Sequence, residues 1–251
     1  MNAFFVGLQF LTRLKLVNQT EWNIEDFGKS VVFFPLIGAV IGLFLMAIWF
    51  VFSSFLPLSL VALGIVVFEF LFTGGLHADG FMDSCDGLFS GRDKERKLAI
   101  MKDSRVGSNG VVGFVFLVLL KWQLLANVPS QFIYELLFIM PVLSRYGLTM
   151  SIRLFPYARP EGMGKAFAIY SPKSTLWWAT LVALLPAIYG HWHYVLILGL
   201  MIGLNLLLNR FIVTQIEGVT GDTYGFVIEV SEVIFLMISL ALISLHSFNF
   251  L

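Results

Sequence analysis

The sequence predicts an all-α polytopic membrane bundle of about seven transmembrane helices with an interfacial helix at its N-terminus, and three observations support this. The 251 residues are 58% hydrophobic and only 13% charged, with a mean hydropathy of +0.87, outside the usual range of a soluble globular domain. Several apolar runs reach the roughly 20 residues that cross about 30 Å of hydrocarbon as a helix. The short alternating segments of a spanning barrel are absent. Finally, the basic residues sort to alternate connections between those runs.

The first 30 residues hold one short apolar stretch, Phe4 to Leu11, with no basic leader and no small-residue cleavage site. An interfacial helix is expected there, not a cleaved signal. Spans are expected at 31–55, 58–76, 110–128, 131–150, 175–190, 192–209 and 228–246. Arg13, Lys15 and Lys29 precede the first span, six basic residues lie between 92 and 105, four between 153 and 173, and Arg210 follows the sixth span. Together these are fourteen of the sixteen basic residues. The opposite connections, near Pro57, at 128–131 and at 190–193, carry none, and neither does 246–251. Short loops rich in Lys and Arg stay in the cytoplasm. The N-terminus is therefore expected inside the cell and the C-terminus outside, in a multi-pass protein of the inner (cytoplasmic) membrane. One membrane domain, 1–251, is the economical reading, with 77–109 as its cytoplasmic acidic segment.

Lys121 and Arg145 fall inside expected spans, as does Glu69, where an ionisable group is costly and faces the bundle interior. Arg145 either snorkels to the interface or contacts a substrate. Lys121 is expected to pair with Glu135 or a backbone carbonyl. The single cysteine, Cys85, excludes a disulfide framework and a cysteine metal site and reads as a packing residue. Net charge is zero and the basic residues follow topology, so no nucleic-acid patch is indicated.

Chemistry concentrates in Leu76 to Gly110, LHADGFMDSCDGLFSGRDKERKLAIMKDSRVGSNG, with six carboxylates, six basic side chains and one histidine. As a helix over 76–87, this places Asp79, Asp83 and Asp86 at i, i+4 and i+7, within about 60° of one another at roughly 100° per residue. Like charges so close repel, and the arrangement persists only with a cation among them. Magnesium is the natural candidate, a hard ion that takes carboxylate and phosphate oxygens and keeps some of its waters. The competing reading is a solvated loop whose acids pair with Arg92, Lys94, Arg96 and Lys97, but that basic cluster starts a turn or more after the aspartates. His77 lies about 160° around the helix from Asp79, which suits a supporting or ligand contact better than a base for the triad.

Three cytoplasmic connections, 77–109, 151–174 and 210–227, hold most of the polar residues and would build one site at one membrane face. Lys102 and Arg105 precede a glycine-containing turn that opens a helix, a combination able to hold phosphate. Arg153, Arg159 and Lys165 around Gly162 and Gly164 form either a phosphate clamp or an ordinary basic loop. Asp222, Glu229 and Glu232 make a second acidic group, the glutamates on one helix face. It would take a second magnesium ion, orient a hydroxyl or pair with Arg145. Together these features suggest phosphoryl transfer to an alcohol, in which catalysis is mostly positioning and charge neutralisation.

These motifs resemble the adenosylcobinamide-GDP ribazoletransferase (cobalamin synthase) family. The likeness is carried by Phe33-Phe34-Pro35-Leu36-Ile37-Gly38, by Gly74-Gly75-Leu76-His77-Ala78-Asp79-Gly80-Phe81-Met82-Asp83-Ser84-Cys85-Asp86-Gly87, and by Met101-Lys102-Asp103-Ser104-Arg105 with Gly107 and Gly110. Ser144-Arg145, Tyr157-Ala158-Arg159 and Thr220-Gly221-Asp222 with Gly225, Glu229 and Glu232 follow in order. The resemblance implies a magnesium-dependent membrane enzyme that joins adenosylcobinamide-GDP to alpha-ribazole or its 5'-phosphate and releases GMP. On that basis Asp79, Asp83 and Asp86 are expected to hold magnesium across the diphosphate, and Lys102 and Arg105 to offset charge on GMP. Asp103 or Asp86 is the expected base, and His77, Arg145, Arg159, Asp222, Glu229 and Glu232 are expected to contact substrate. The lipid bilayer is a partner, and a homo-oligomer is compatible. One rival is a CDP-alcohol phosphotransferase, whose DGxxAR element is not matched by Leu88-Phe89-Ser90-Gly91 after Asp86-Gly87. The other is a cation transporter, whose acids would line the bilayer midplane.

Overall fold

The structure, a computed structural model, describes residues 3–18, 23–189 and 192–248. The helices are α1 (Ala3–Leu11), α2 (Ile24–Ser30), α3 (Phe34–Phe52), α4 (Leu58–Phe72), α5 (Leu76–Leu88), α6 (Lys94–Ile100) and α7 (Ser108–Ala126), followed by α8 (Ile133–Leu154), α9 (Met163–Tyr170), α10 (Thr175–Leu184), α11 (Trp192–Ile216) and α12 (Gly221–Phe248). No strand is formed among the described residues beyond one isolated bridge, Tyr157 with Val219.

Each of the seven apolar runs falls on a helix: α3, α4, α7, α8, α10, α11 and α12. Four helical stretches are long and apolar enough to cross a membrane, 24–52, α7, α11 and α12, or five if the bent pair α4 and α5 counts as one span. Fewer therefore qualify than the sequence predicts, and α8 shows why. Its 22 residues carry Ser144, Arg145, Thr149 and Ser151, and every residue from Ile139 to Ile152 is buried by neighbouring helices. A helix enclosed on all sides by protein does not have to be apolar for lipid. α10, at ten residues, is too short alone for the roughly 20 that a span needs.

The close seam of the core is α3 against α8. A Cβ on Gly42 would lie 2.8 Å from Phe138 Cα, so glycine lets the two backbones approach, as small residues do between membrane helices. α1, nine residues long, does not reach across; it buries Val6, Leu8 and Leu11. Its Phe10 ring meets Phe167 of α9 edge-on at 5.1 Å.

Candidate functional site

The site begins at a bend. Gly74 and Gly75 have φ of +68° and +74°, a region glycine enters without the clash of a Cβ, and the chain turns through 91° between α4 and α5. α5, with His77 and three aspartates in thirteen residues, leaves the direction of α4 and packs against α12 and α7. Glycines hold it tightly to α12. A Cβ on Gly80 would meet the Asp222 carbonyl oxygen at 2.7 Å, and one on Gly225 would meet that of His77 at 2.6 Å. Phe81 stacks on Phe226 with ring centroids 5.4 Å apart. This approach carries Asp222, in the first turn of α12, to the acidic face of α5.

The expected trio of Asp79, Asp83 and Asp86 changes in character here. Asp86 Oδ2 accepts from Gly107 N at 2.6 Å and its Oδ1 from Gly110 N at 2.8 Å. A carboxylate at the N-terminus of α7 satisfies donors with no helical partner and meets the positive end of the helix dipole. Each Asp86 oxygen thus makes a capping bond, while Asp79 and Asp222 join Asp86 in repelling Asp83. Burial, then the negative charges of Asp79, Asp222 and Asp86, push Asp83 from its ordinary 3.8 up to about 7.

Beside this face lies a cavity of about 570 Å³ whose wall includes His77, Asp79, Lys102, Arg159, Asp222 and Tyr224. The Tyr157–Val219 bridge builds one side of it, with Ala158 N donating to Val219 O and Val219 N to Pro156 O, each at 2.8 Å. That stitches together the second and third polar connections and sets Arg159 Nη2 against Asp222 Oδ2 at 2.6 Å. Arg159 Nε stays buried with no partner, as do His77 Nε2 and Tyr224 Oη. A buried polar group with no partner costs about 1–3 kcal/mol, and all three belong to residues that line this cavity.

Lys102 lines the cavity, but Asp103 and Arg105 engage each other. Arg105 Nε donates to Asp103 Oδ1 at 3.0 Å and Nη2 to Oδ2 at 2.7 Å. Those side-chain bonds from Arg105, with the backbone bond beside them, hold Asp103 down at about 2. A carboxylate so easily ionised is a weak proton acceptor. The two expected bases, Asp103 and Asp86, are thus both occupied otherwise.

Deeper in the bundle is a second charged group. Lys121 Nζ meets Glu69 Oε2 at 3.2 Å, Glu229 Oε2 at 2.9 Å and Glu232 Oε2. Arg145 Nη1 meets Glu69 Oε1 at 3.4 Å, Ser144 Oγ at 2.9 Å and Glu232 Oε1. Lys121 therefore pairs with three glutamates from α4 and α12, not with Glu135, which is exposed at the start of α8. Arg145 does not snorkel; its side chain is wholly buried. Glu229 and Glu232, expected at substrate, do not line the cavity and serve this network. One link reaches the site, Arg145 Nη2 to His77 Nδ1 at 3.4 Å. The signal in the sequence was Glu69 and Lys121, both inside apolar runs.

Among the described residues, no three His, Cys, Asp or Glu side chains are grouped to hold a metal by themselves. The donor set nonetheless fits a hard cation of the magnesium kind, which takes one or two carboxylates and completes its shell with waters and phosphate oxygens. The uncompensated repulsion around Asp83 is what such an ion would relieve.

The fold and this site define a class, a multi-pass helical membrane protein with an acidic helix and a small cavity at one end of its bundle. The chain belongs to the cobalamin-5-phosphate synthase family, whose sequence model matches residues 3–240. Curated relatives named adenosylcobinamide-GDP ribazoletransferase include those of Desulfitobacterium hafniense strain Y51, 37% identical over 94% of this chain and 96% of the relative, and of Alkaliphilus metalliredigens strain QYMF, 37% identical over 94% of each. That of Acinetobacter baumannii is 36% identical over 93% of this chain and 95% of the relative. No solved structure matches the chain.

Proposed function

We propose that the chain is a magnesium-dependent cobalamin synthase working at the cytoplasmic face of the inner membrane. It joins adenosylcobinamide-GDP to alpha-ribazole or its 5'-phosphate and releases GMP. The observation that carries the reading is the gathering of Asp83 with Asp79 and Asp222, the latter two in the wall of a cavity, in a chain whose residues 3–240 match the family. The cytoplasmic placement is supported by fourteen of the sixteen basic residues lying before the first span or in the connections expected on one side.

In this reaction the ribazole 3'-hydroxyl oxygen bonds to the phosphorus that carries the cobinamide arm, and the bond from that phosphorus to GMP breaks with its electron pair leaving on GMP. Asp222 Oδ1 takes the hydroxyl proton, because its Oδ2 is held by Arg159 and its Oδ1 makes no hydrogen bond among the described residues. Lys102, in the cavity wall, donates to the departing GMP oxygens. Arg159, anchored by Asp222, offers its remaining N–H groups to the transferred phosphoryl. Asp79 and Asp83 would hold magnesium, which when bound neutralises charge across the diphosphate.

The test is incubation of the purified protein in lipid nanodiscs with adenosylcobinamide-GDP, alpha-ribazole and magnesium, with CDP-diacylglycerol and an alcohol in a parallel reaction. GMP and a cobalamin product from the first, and no CMP from the second, are expected. Chelation should stop the first reaction and added magnesium restore it. Release of CMP with no GMP would overturn the reading.

A further inference from the structure

We propose that the cavity beside the acidic face is the seat of the ribazole-type nucleoside, and that His77 reads the bare ring nitrogen of its base. This rests on the transfer reading above and adds which substrate sits where and what selects it. Size is the first argument. About 570 Å³ accommodates one nucleoside, whereas a corrin macrocycle with its side chains has to stay outside.

The second argument is the chemistry of the wall. Phe10, Leu11, Leu148, Phe167 and Ile228 give it an apolar side, and the polar atoms left without partners there are His77 Nε2, Arg159 Nε and Tyr224 Oη. For His77 the proton is placed by geometry. Arg145 Nη2 stands 3.4 Å from Nδ1, a guanidinium only donates, so Nδ1 accepts and Nε2 carries the hydrogen. His77 is 3% exposed, so water does not satisfy that hydrogen.

A pocket that is apolar on one side and offers buried donors wants a ligand whose buried edge only accepts. A benzimidazole-type base joined to ribose through one ring nitrogen is such a ligand, an apolar bicycle with one bare nitrogen. Guanine would need the wall's carboxylates, Asp79, Glu161 and Asp222, for its ring N–H and amino group, and the transfer above uses Asp79 for the metal and Asp222 for the hydroxyl proton. With the base against the apolar side, the ribose is left toward Asp222 and Asp79, where the hydroxyl has to react. Arg145 is a positioning residue in this arrangement, since it acts through His77.

The experiment compares two ligands that differ at one atom. Binding of alpha-ribazole and of its indole counterpart, with C–H in place of the bare nitrogen, is measured by calorimetry on the full-length protein in nanodiscs. The wild type should bind the indole riboside about tenfold more weakly, the size of one hydrogen bond. His77→Phe should bind both alike at the weaker level, and guanosine should not compete with alpha-ribazole. Equal affinity of the wild type for the two ribosides, or competition by guanosine, would overturn the proposal. The wild-type ligand pair decides even if His77→Phe does not fold. A protein that transfers no ribazole at all sinks the proposed function first, whereas one that transfers ribazole yet ignores the ring nitrogen sinks this inference alone.

Discussion

On α12, Asp222 and Glu229 are seven residues apart, about two helical turns, yet they belong to acidic groups of opposite character. Glu69, Glu229 and Glu232 are at most 3% exposed and share two buried cations, Lys121 and Arg145. Asp79 and Asp222 border the cavity, Asp83 lies within reach of both, and Arg159 is the cation in contact with Asp222. Where every carboxylate is paired with a cation inside the protein, the group is structural, because removing a cation strands carboxylates in a low-dielectric core. Where charge is left unmatched at a cavity, the missing counterion has to arrive from outside, and that is a functional property.

The largest effect should come from breaking the matched group. Lys121→Met leaves three carboxylates in the core around Arg145 alone. Breaking a buried pair costs about 3–5 kcal/mol, a large part of a typical folding free energy. Membrane yield and the melting temperature in detergent should both fall sharply, and adding Glu229→Gln should recover part of the loss by removing one stranded charge. A Lys121→Met protein that melts like the wild type but has lost transfer would mean that the deep network is part of the site.

Asp83→Asn should do the reverse. Removing one group that stabilises transferring charge typically lowers kcat by about 10²–10³-fold, while relief of like-charge repulsion keeps the melting temperature at or above that of the wild type. The pH dependence carries the sign. Asp83 is raised from 3.8 to about 7 in the fold, so its protonated form is favoured there, and its contribution is full below the unfolded value and lost as pH rises toward about 7. Cation-free protein should therefore melt at progressively lower temperature from about pH 4 to about pH 7, magnesium should reverse the loss, and Asp83→Asn should flatten the slope. A flat profile in the wild type without magnesium would erase the distinction between the two groups.

Much of this contrast was legible in the sequence, and the parts that were not have physical reasons. The seven apolar runs mark seven helices because period and composition are local properties. The acidic face of α5 is likewise local, a matter of i, i+4 and i+7 spacing. What spacing does not carry is which neighbour reaches a side chain first. Asp86 shares a face with Asp79 and Asp83, yet the backbone of Gly107 and Gly110, more than twenty residues on, takes both of its oxygens. Lys121 was recognised as costly, but its partners are 52, 108 and 111 residues away, distances at which only packing decides. Glu229 and Glu232 looked like continuations of Asp222 because helix periodicity places them near one face; depth in the bundle separates them.

Asp86 should give an intermediate result, since it sits beside the unmatched group but works as a cap. Loss of a helix cap costs typically about 1 kcal/mol, or about 2–4 °C for a chain of this size, so Asp86→Ala should lower the melting temperature modestly. Its kcat should fall less than that of Asp83→Asn, because the magnesium requirement, read from a metal titration, stays with Asp79 and Asp83. A magnesium titration shifted as far in Asp86→Ala as in Asp83→Asn would return Asp86 to the metal ligands.

The smallest effect is expected at Asp103. Its bidentate partner Arg105 has a side chain 87% exposed, and ion pairs in water add little because solvent screens them and both side chains lose freedom. Asp103→Asn should leave melting temperature and kcat within error of the wild type, with the pH–rate profile unmoved. A bell-shaped profile that loses its acid limb in Asp103→Asn would instead make Asp103 the proton acceptor. The loop after α6 would then have to open its ion pair to reach the cavity, and Asp222 would be left with orienting the hydroxyl.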